Sequence, residues 1–136
     1  MASGWLFKTE PNAYSYDRLA RDGHAVWDGV ENALALKHLA AVATGDEVLV
    51  YHTGNEKAAI GVARVTRGAY ADPKQKAAKL VVVDIEPVTK LSHAVTLAAM
   101  RTNPKLAGFD LLRLPRLSVM PVSRARWTEI LRMART

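Results

Sequence analysis

The chain has 136 residues, no Cys, and 19 Lys and Arg against 13 Asp and Glu, which gives a net charge of +6. The length predicts a single domain, residues 1–136, because domains run to about 100–200 residues, and the lack of Cys excludes disulfides and thiolate metal sites. The start lacks a signal-peptide pattern, and no apolar run reaches the roughly 18 residues of a membrane span. We therefore expect a cytoplasmic monomer that contacts no membrane.

The N-terminal third predicts one strand and two helices. Residues 4–8 form the strand, which ends before Pro11. Ser15 can cap a helix over Tyr16–Arg21, and Asn32 a longer helix over Ala33–Ala43, where apolar residues recur at helical spacing.

The rest of the chain predicts strands more than helices. A short helix over Leu97–Thr102 begins after Thr96, and Ser123 can cap a last helix that carries Trp127 on its apolar face. The strands are expected where apolar residues alternate or run together, at Glu47–His52, Ile60–Arg67, Leu80–Val88 and Leu117–Val122. No helix separates the central strands, which disfavours a doubly wound sheet. We predict an α+β fold, a mixed and largely antiparallel β-barrel flanked by helices.

Aromatic and small polar residues cluster where these elements end. Trp5 alternates with Phe7, which predicts a core position, whereas Trp27 precedes a turn signal, which predicts a loop position on a pocket wall with core burial as the alternative. Gly29 lies before the second helix, where free amides can meet a ligand or simply form a turn and cap. Such a set suits a flat ligand with polar edges, such as a nucleobase.

The candidate hydrogen-bonding groups are spread along the chain. Tyr51 and His52 are neighbours on a strand, so only one of them can face a given cavity. His52 either bonds a base edge or serves the fold, while Thr9 and Ser118 supply hydroxyls that can donate and accept. Asp84 interrupts an apolar strand and needs a partner, which can be a ligand amino group, Arg64 or Arg116.

The whole excess of positive charge lies in residues 101–136, which hold eight Lys and Arg against two acids. Seven of the eight are Arg, whose planar fork grips phosphate. This region predicts phosphate contacts, with a solvated helix face as the alternative reading.

Catalytic and metal-binding patterns are weak. Ser118 lacks the Gly-x-Ser-x-Gly setting of a hydrolase nucleophile, and the four His show no metal spacing. We expect a binder without metal or cofactor rather than an enzyme. Two alternatives stay open: a small hydrolase that uses His52 or Asp84, and a protein-interaction module that uses Arg124 and Arg126.

Five motifs occur in a fixed order and together resemble one family. They are Trp5–Pro11, Trp27–Val30, Tyr51–Thr53, Val83–Ile85 and Arg116–Val122. This order is similar to that of the EVE domain family over about residues 4–132. The resemblance implies a PUA-like fold and a pocket for a modified base in RNA or DNA, with methylated cytosines the usual suggestion for the family.

The resemblance also implies which residues bind. It assigns a base-binding role to residues within the five motifs, namely Thr9, Trp27, Gly29, Tyr51, His52, Thr53, Asp84 and Ser118. It makes Arg116 a candidate for a phosphate contact or a supporting ion pair, and the basic charge of the C-terminal region adds Arg113, Arg124 and Arg126 as predicted phosphate contacts.

The chain departs from the family pattern in three places. Glu31-Asn32 stands where Arg-Asn is usual, and Ala33–Leu36 stands where an aromatic-Gln-Ala-Arg run is usual. Lys79 or a neighbour replaces a Trp that precedes the Val83-Asp84 strand. These changes remove a basic group and an aromatic wall, and Glu31 would repel a backbone phosphate.

Overall fold

The computed structural model describes residues 4–74 and 80–135. Its strands are β1 Gly4–Thr9, β2 Ala25–Trp27, β3 Glu47–His52, β4 Ala58–Ala71, β5 Val81–Thr96 and β6 Val119–Val122. Its helices are α1 Tyr16–Asp22, α2 Ala33–Ala40, α3 Leu97–Arg101, α4 Asp110–Arg113 and α5 Arg124–Met133, with a 3₁₀ turn at Pro104–Leu106. None of the helices in these two ranges is long and apolar enough to cross a membrane. Lys79, which bears on the missing Trp, lies outside the described residues.

The helix ends follow the capping chemistry of the sequence. The Ser15 side chain accepts a hydrogen bond from the Arg18 N–H at the start of α1, and Gly23 ends α1 with a φ of 80°, a conformation that favours glycine. The expected extension of α2 to Ala43 is wrong. The Asp46 carboxylate accepts from the Ala43 N–H at 2.9 Å, which draws residues 41–46 into a turn.

One six-stranded sheet organises the fold, in the order β2-β5-β4-β3-β1-β6. The β1–β3 pair is parallel and every other pair is antiparallel. The α+β class is therefore confirmed, but the barrel is wrong, because pairing within the described residues stops at β2 and β6. These edges have three and four residues, and Pro121 has no N–H to donate. The two edge strands do not pair with each other. Helix α2 contacts β4, β5 and β6.

Some strands differ from their predicted bounds. Strand β3 matches the prediction, whereas β4 and β5 are longer because register shifts let the pair bend and continue. Strand β2 was not predicted, since three residues are too few for a periodic signal. Trp27 therefore ends a strand that pairs with Val83 and does not lie on a loop.

The core fills the space between the sheet and its helices. The core position predicted for Trp5 is confirmed, because the residue is buried and its indole N–H donates to Asp46 at 2.9 Å. The Tyr16 side chain of α1 lies against β4, where its hydroxyl donates a hydrogen bond to the Val62 carbonyl at 2.8 Å. Gly61 permits this approach, since a Cβ there would lie 2.5 Å from the Tyr16 ring.

Candidate functional site

A cavity of about 510 Å³ opens where β1 and β2 end, within the size range of small-ligand sites. We name it the Trp27 cavity. Its apolar and backbone lining comes from Ala13, Ala25, Val26, Trp27, Gly29 and Val30. Its polar and charged lining comes from Lys8, Thr9, Tyr14, Arg18, Asp28, Glu31 and Ser118.

Aromatic packing fixes the floor of this cavity. The Trp27 ring lies 5.5 Å from the Phe7 ring and 6.4 Å from the Tyr14 ring, between centroids, with Tyr14 edge-on. Trp27 is only 8% exposed, so it presents a strip of its indole and keeps the remainder in the core. Both readings of Trp27 therefore hold together: the residue belongs to the core and also lines the cavity.

Thr9 and Ser118 supply the hydroxyl-bearing side of the cavity, which we name the hydroxyl wall, and backbone geometry arranges it. The Thr9 hydroxyl donates to the Tyr14 carbonyl at 2.7 Å, which leaves its oxygen lone pairs for a ligand donor. The Ser118 carbonyl accepts from the Lys8 N–H at 2.9 Å, which holds the residues before β6 against β1. Gly29 has a φ of 77° and turns the chain from β2 toward α2.

Charges of both signs face the Trp27 cavity. Arg18 packs its guanidinium 5.3 Å from the Tyr14 ring centroid, while Asp28 and Glu31 bring carboxylates to the lining. Burial, together with the Tyr14–Asp22 hydrogen bond, raises the pKa of Tyr14 to about 12, so the phenol stays neutral near pH 7. The lining can therefore accept hydrogen bonds from a ligand as well as donate them.

A second pocket of about 240 Å³ contains two more of the predicted residues, Tyr51 and Thr53. We name it the Tyr51 pocket. It shares Lys8 with the Trp27 cavity, because Lys8 and Tyr51 are paired in register on the parallel strands β1 and β3. Tyr51 and Thr53 are thus neighbours of the Trp27 cavity and not part of its lining.

His52 serves the fold, as one of its two readings predicted. Its Nε2 accepts the Tyr16 N–H at 3.0 Å in a buried position. Its Nδ1 lies 2.9 Å from the Glu56 carboxylate, which fits a neutral ring protonated at Nδ1. Both ring nitrogens are therefore occupied, and His52 does not line either hollow.

Asp84 also lies apart from the two hollows. Its carboxylate accepts a hydrogen bond from the Tyr70 hydroxyl, so the expectation of a partner at Arg64 or Arg116 is wrong. The register explains the difference, because Tyr70 pairs with Val82, two residues from Asp84 on β5. Arg67 then covers the Tyr70 ring at 3.7 Å.

The four arginines with predicted phosphate contacts do not converge on the Trp27 cavity. Arg113 pairs with Asp110 at 2.7 Å, and Arg126 donates to the Ala107 carbonyl at 3.1 Å. Arg116 lines a separate groove, and Arg124 is exposed at the start of α5. Their phosphate role stays a prediction, and any strand that met all four would also cross surface beyond the cavity.

Five polar or charged lining residues are absent from the predicted set, namely Lys8, Tyr14, Arg18, Asp28 and Glu31. Lys8 immediately precedes the predicted site residue Thr9. Its place in the first motif was therefore the available signal. Tyr14 and Arg18 come together through the turn before α1 and the first turn of that helix, and no spacing rule marks them. The part of the chain that the structure describes contains no cluster of three or more acidic or His side chains that could hold a metal ion.

The EVE domain pattern matches residues 3–133. This chain belongs to the EVE domain family. The match spans all six strands and all five helices, so both hollows are built by the EVE domain itself.

Solved structures of two bacterial proteins share the fold. The protein Rpa0253 of Rhodopseudomonas palustris is 38% identical to this EVE domain, with a TM-score of 0.92 and coverage of 98% of this chain and 93% of that one. The protein Atu2648 of Agrobacterium tumefaciens is 31% identical, with a TM-score of 0.94 and the same two coverages.

A human protein shares the fold at lower identity. Thymocyte nuclear protein 1 of Homo sapiens is 24% identical over 165 residues, covering 96% of this chain and 73% of the human protein. A crystal structure of human THYN1 in complex with 5-methylcytosine-containing DNA has a TM-score of 0.89 and 24% identity, and the match covers 99% of each chain.

Proposed function

We propose that this EVE domain binds a nucleic-acid strand and captures one modified base in the Trp27 cavity. The observation that carries the proposal is the cavity itself, which combines an aromatic floor with a hydroxyl wall and charges of both signs. The human relative in complex with DNA that contains 5-methylcytosine supports a methylated cytosine as the first base to test.

The cavity offers a role for each edge of a cytosine. Asp28 or Glu31 can accept from the exocyclic amino group, as acidic side chains do with cytosine N4. The Ser118 hydroxyl can donate to the carbonyl or ring-nitrogen acceptor, whereas the Thr9 oxygen, whose hydrogen is bonded to the Tyr14 carbonyl, can accept from the amino group. The Trp27 strip and Tyr14 enclose the flat ring, and aromatic contacts of this kind contribute about 1–3 kcal/mol per base.

The form of the nucleic acid follows from the depth of the site. A base inside a duplex must leave its stack to reach Trp27, which costs a few kcal/mol. A single strand or an unpaired position avoids that cost, so we expect tighter binding there.

Binding is favoured over hydrolysis by the state of His52. Both of its ring nitrogens are engaged by Tyr16 and Glu56, which leaves neither nitrogen to activate a nucleophile. We therefore propose that the domain reads its ligand without changing it.

Two matched substitutions test the proposal. Trp27→Phe trims the cavity floor, and Trp127→Phe removes the same atoms from a tryptophan of equal exposure, 8%, in α5. Single-stranded oligonucleotides with cytosine or 5-methylcytosine at one position are titrated against both variants and the wild type, with fluorescence anisotropy as the readout.

We expect Trp27→Phe to reduce the ratio of the two affinities severalfold and Trp127→Phe to leave it unchanged. Thermal melts of both variants control for stability. The same ratio in all three proteins, or a wild-type ratio of one for every modified base tested, would refute the placement of the base.

A further inference from the structure

The Tyr51 pocket is distinguished by its charge. Its lining includes Lys8, Lys57 and Arg101 but no Asp or Glu. We propose that this pocket binds a phosphate group of the strand whose base occupies the Trp27 cavity. The inference rests on the proposed function for the identity of the strand, whereas anion binding by the pocket rests on its own residues.

Among the described residues, the three cations have no acidic partner, unlike Lys90 and Arg132. Lys90 pairs with Asp17 at 2.9 Å and Arg132 with Glu129 at 2.6 Å. Within residues 4–74 and 80–135, no ion pair joins Lys8, Lys57 or Arg101 to a carboxylate. Like charges gathered without acids repel one another, and an anion relieves that repulsion.

Lys8 is the most constrained of the three. Its Nζ donates to the Pro115 carbonyl at 2.9 Å and lies 5.8 Å from the centroid of the Tyr51 ring. Burial lowers the pKa of Lys8, because water is partly removed from its ammonium group. The ammonium has three donors, so two remain after the bond to Pro115.

Lys57 is held in an unusual backbone conformation. Its φ of 45° makes it the only non-glycine residue with a positive φ in the described parts of the chain, and such strain tends to persist where a site requires it. The Lys57 carbonyl accepts from the Leu97 N–H at 2.7 Å. This bond ties the start of β4 to α3, which carries Arg101.

Tyr51 can add a neutral donor to the cations. Burial raises the pKa of Tyr51. The positive charge of Arg101 favours the ionised phenol and partly offsets this increase. The hydroxyl stays protonated at neutral pH and can donate to an oxyanion.

One acid lies at the rim. A Cβ on Gly54 would be 3.1 Å from Glu10 Oε1, while Glu10 Oε2 accepts from the Asn12 N–H at 2.9 Å. Glu10 is therefore tied to its own turn and does not join the lining. We expect it to limit which side a phosphate enters from.

Lys8 links the pocket to the base site. A single lysine side chain borders both hollows, so a phosphate held beside it lies next to the nucleotide whose base meets Trp27. The proposal adds phosphate contacts from β1, the β3–β4 turn and α3 to those predicted for the C-terminal arginines.

The test removes charge from the nucleic acid and from the protein. The probe is a single strand with one 5-methylcytosine, made as a series in which each linkage in turn is a neutral methylphosphonate. Wild type, Lys57→Gln and Arg101→Gln are compared with the control Arg135→Gln, which removes an exposed arginine that lies outside the pocket and has no predicted phosphate contact. Thermal melts establish that each variant is folded.

We expect Lys57→Gln and Arg101→Gln each to reduce the salt slope of binding by about 0.7, the value for one phosphate contact on a single strand. One neutral linkage should weaken the wild type and should weaken Arg101→Gln much less. Equal sensitivity of both proteins to every linkage, or the same slope change in Arg135→Gln, would overturn the assignment.

Two further arms separate the sources of phosphate and the two proposals. Inorganic phosphate, titrated alone by amide NMR, should shift Gly54 and Lys57 at millimolar concentration in the wild type. These shifts could occur although no single neutral linkage weakens the wild type more than Arg101→Gln. The pocket would then bind free phosphate, and the proposal that it holds a phosphate of the strand would be overturned. Coupling that persists although cytosine and 5-methylcytosine bind equally would support this pocket while the base proposal fails.

Discussion

Trp27 and Trp127 are equally buried, each 8% exposed, but their surroundings differ. Trp27 borders a cavity with hydroxyls and charged groups. Trp127 packs against the backbone, so closely that a Cβ on Gly4 would lie 2.6 Å from its ring. The comparison teaches that burial alone does not separate a tryptophan that can meet a ligand from one that only completes the core.

The charges of the same two regions differ in a related way. In α5, Arg132 is paired with Glu129, whereas the exposed Arg124 forms no ion pair with a described carboxylate. Beside the two hollows, Lys8 and Lys57 form no ion pair with a described carboxylate, although the first 100 residues are neutral overall. Unpaired positive charge therefore also lies in a part of the chain that has no net excess of basic residues.

The largest expected effect distinguishes the two tryptophans. Trp127→Ala should cost about 3–5 kcal/mol in unfolding free energy, the usual result of emptying a packed aromatic site. Trp27→Ala should cost less, because water can enter from the open cavity and less void is created. Urea unfolding of both variants measures the difference, and a larger loss for Trp27→Ala would contradict the comparison.

The contact beneath Trp127 predicts the next effect. Gly4→Ala should destabilise the protein by about 1–3 kcal/mol, because the added methyl overpacks the site. The ring and the Glu47 carbonyl both lie within 3.0 Å of the new atom. Thermal unfolding checks this, and a variant as stable as the wild type would show that the α5 end can relax.

A smaller effect is expected at the cavity. Gly29→Ala should cost about 1–2 kcal/mol through its left-handed backbone, since its φ is 77° and nothing lies within 4 Å of a Cβ. Gly23→Ala is a matched control with a φ of 80° and equal space. Similar losses in stability are expected, with weaker oligonucleotide binding only in Gly29→Ala; equal binding by both would argue against a ligand near Gly29.

The smallest effect is confined to acid. The hydrogen bonds from Arg132 and Asn103 lower the pKa of Glu129 to about 2 from its ordinary 4.5. The folded state therefore binds fewer protons than the unfolded state, and this stabilisation is present above pH 4.5 and is lost as pH falls toward 2. Thermal melts across that range should fall less steeply for Glu129→Gln, while a parallel fall would exclude the pairing as a source of acid sensitivity.

Local chemistry made much of the fold predictable. Strand β3 alternates and is bounded by turn residues, and Ser15, Asn32, Thr96 and Ser123 all cap helices in the structure. Long-range contacts were not predictable in the same way. The early end of α2 depends on a carboxylate shared by Ala43 and Trp5, and β2 exists because β5 provides a partner for three residues.

The candidate site shows the same division. Motif positions led to Thr9, Trp27, Gly29 and Ser118, all of which line the Trp27 cavity. The side chain of His52 turned inward because the Tyr16 N–H needed an acceptor. Tyr14 and Arg18 reach the cavity through a turn that no periodic pattern describes, so their contribution required coordinates.

The position of β1 between β3 and β6 has a consequence for synthesis. Residues 4–9 leave the ribosome more than 100 residues before their antiparallel neighbour, residues 119–122. A nascent chain must therefore keep one side of this apolar strand unpaired, or shielded by a chaperone, until residues 119–122 have been translated. Ser118 joins the hydroxyl wall only at that stage, so ligand capture cannot precede the final steps of folding.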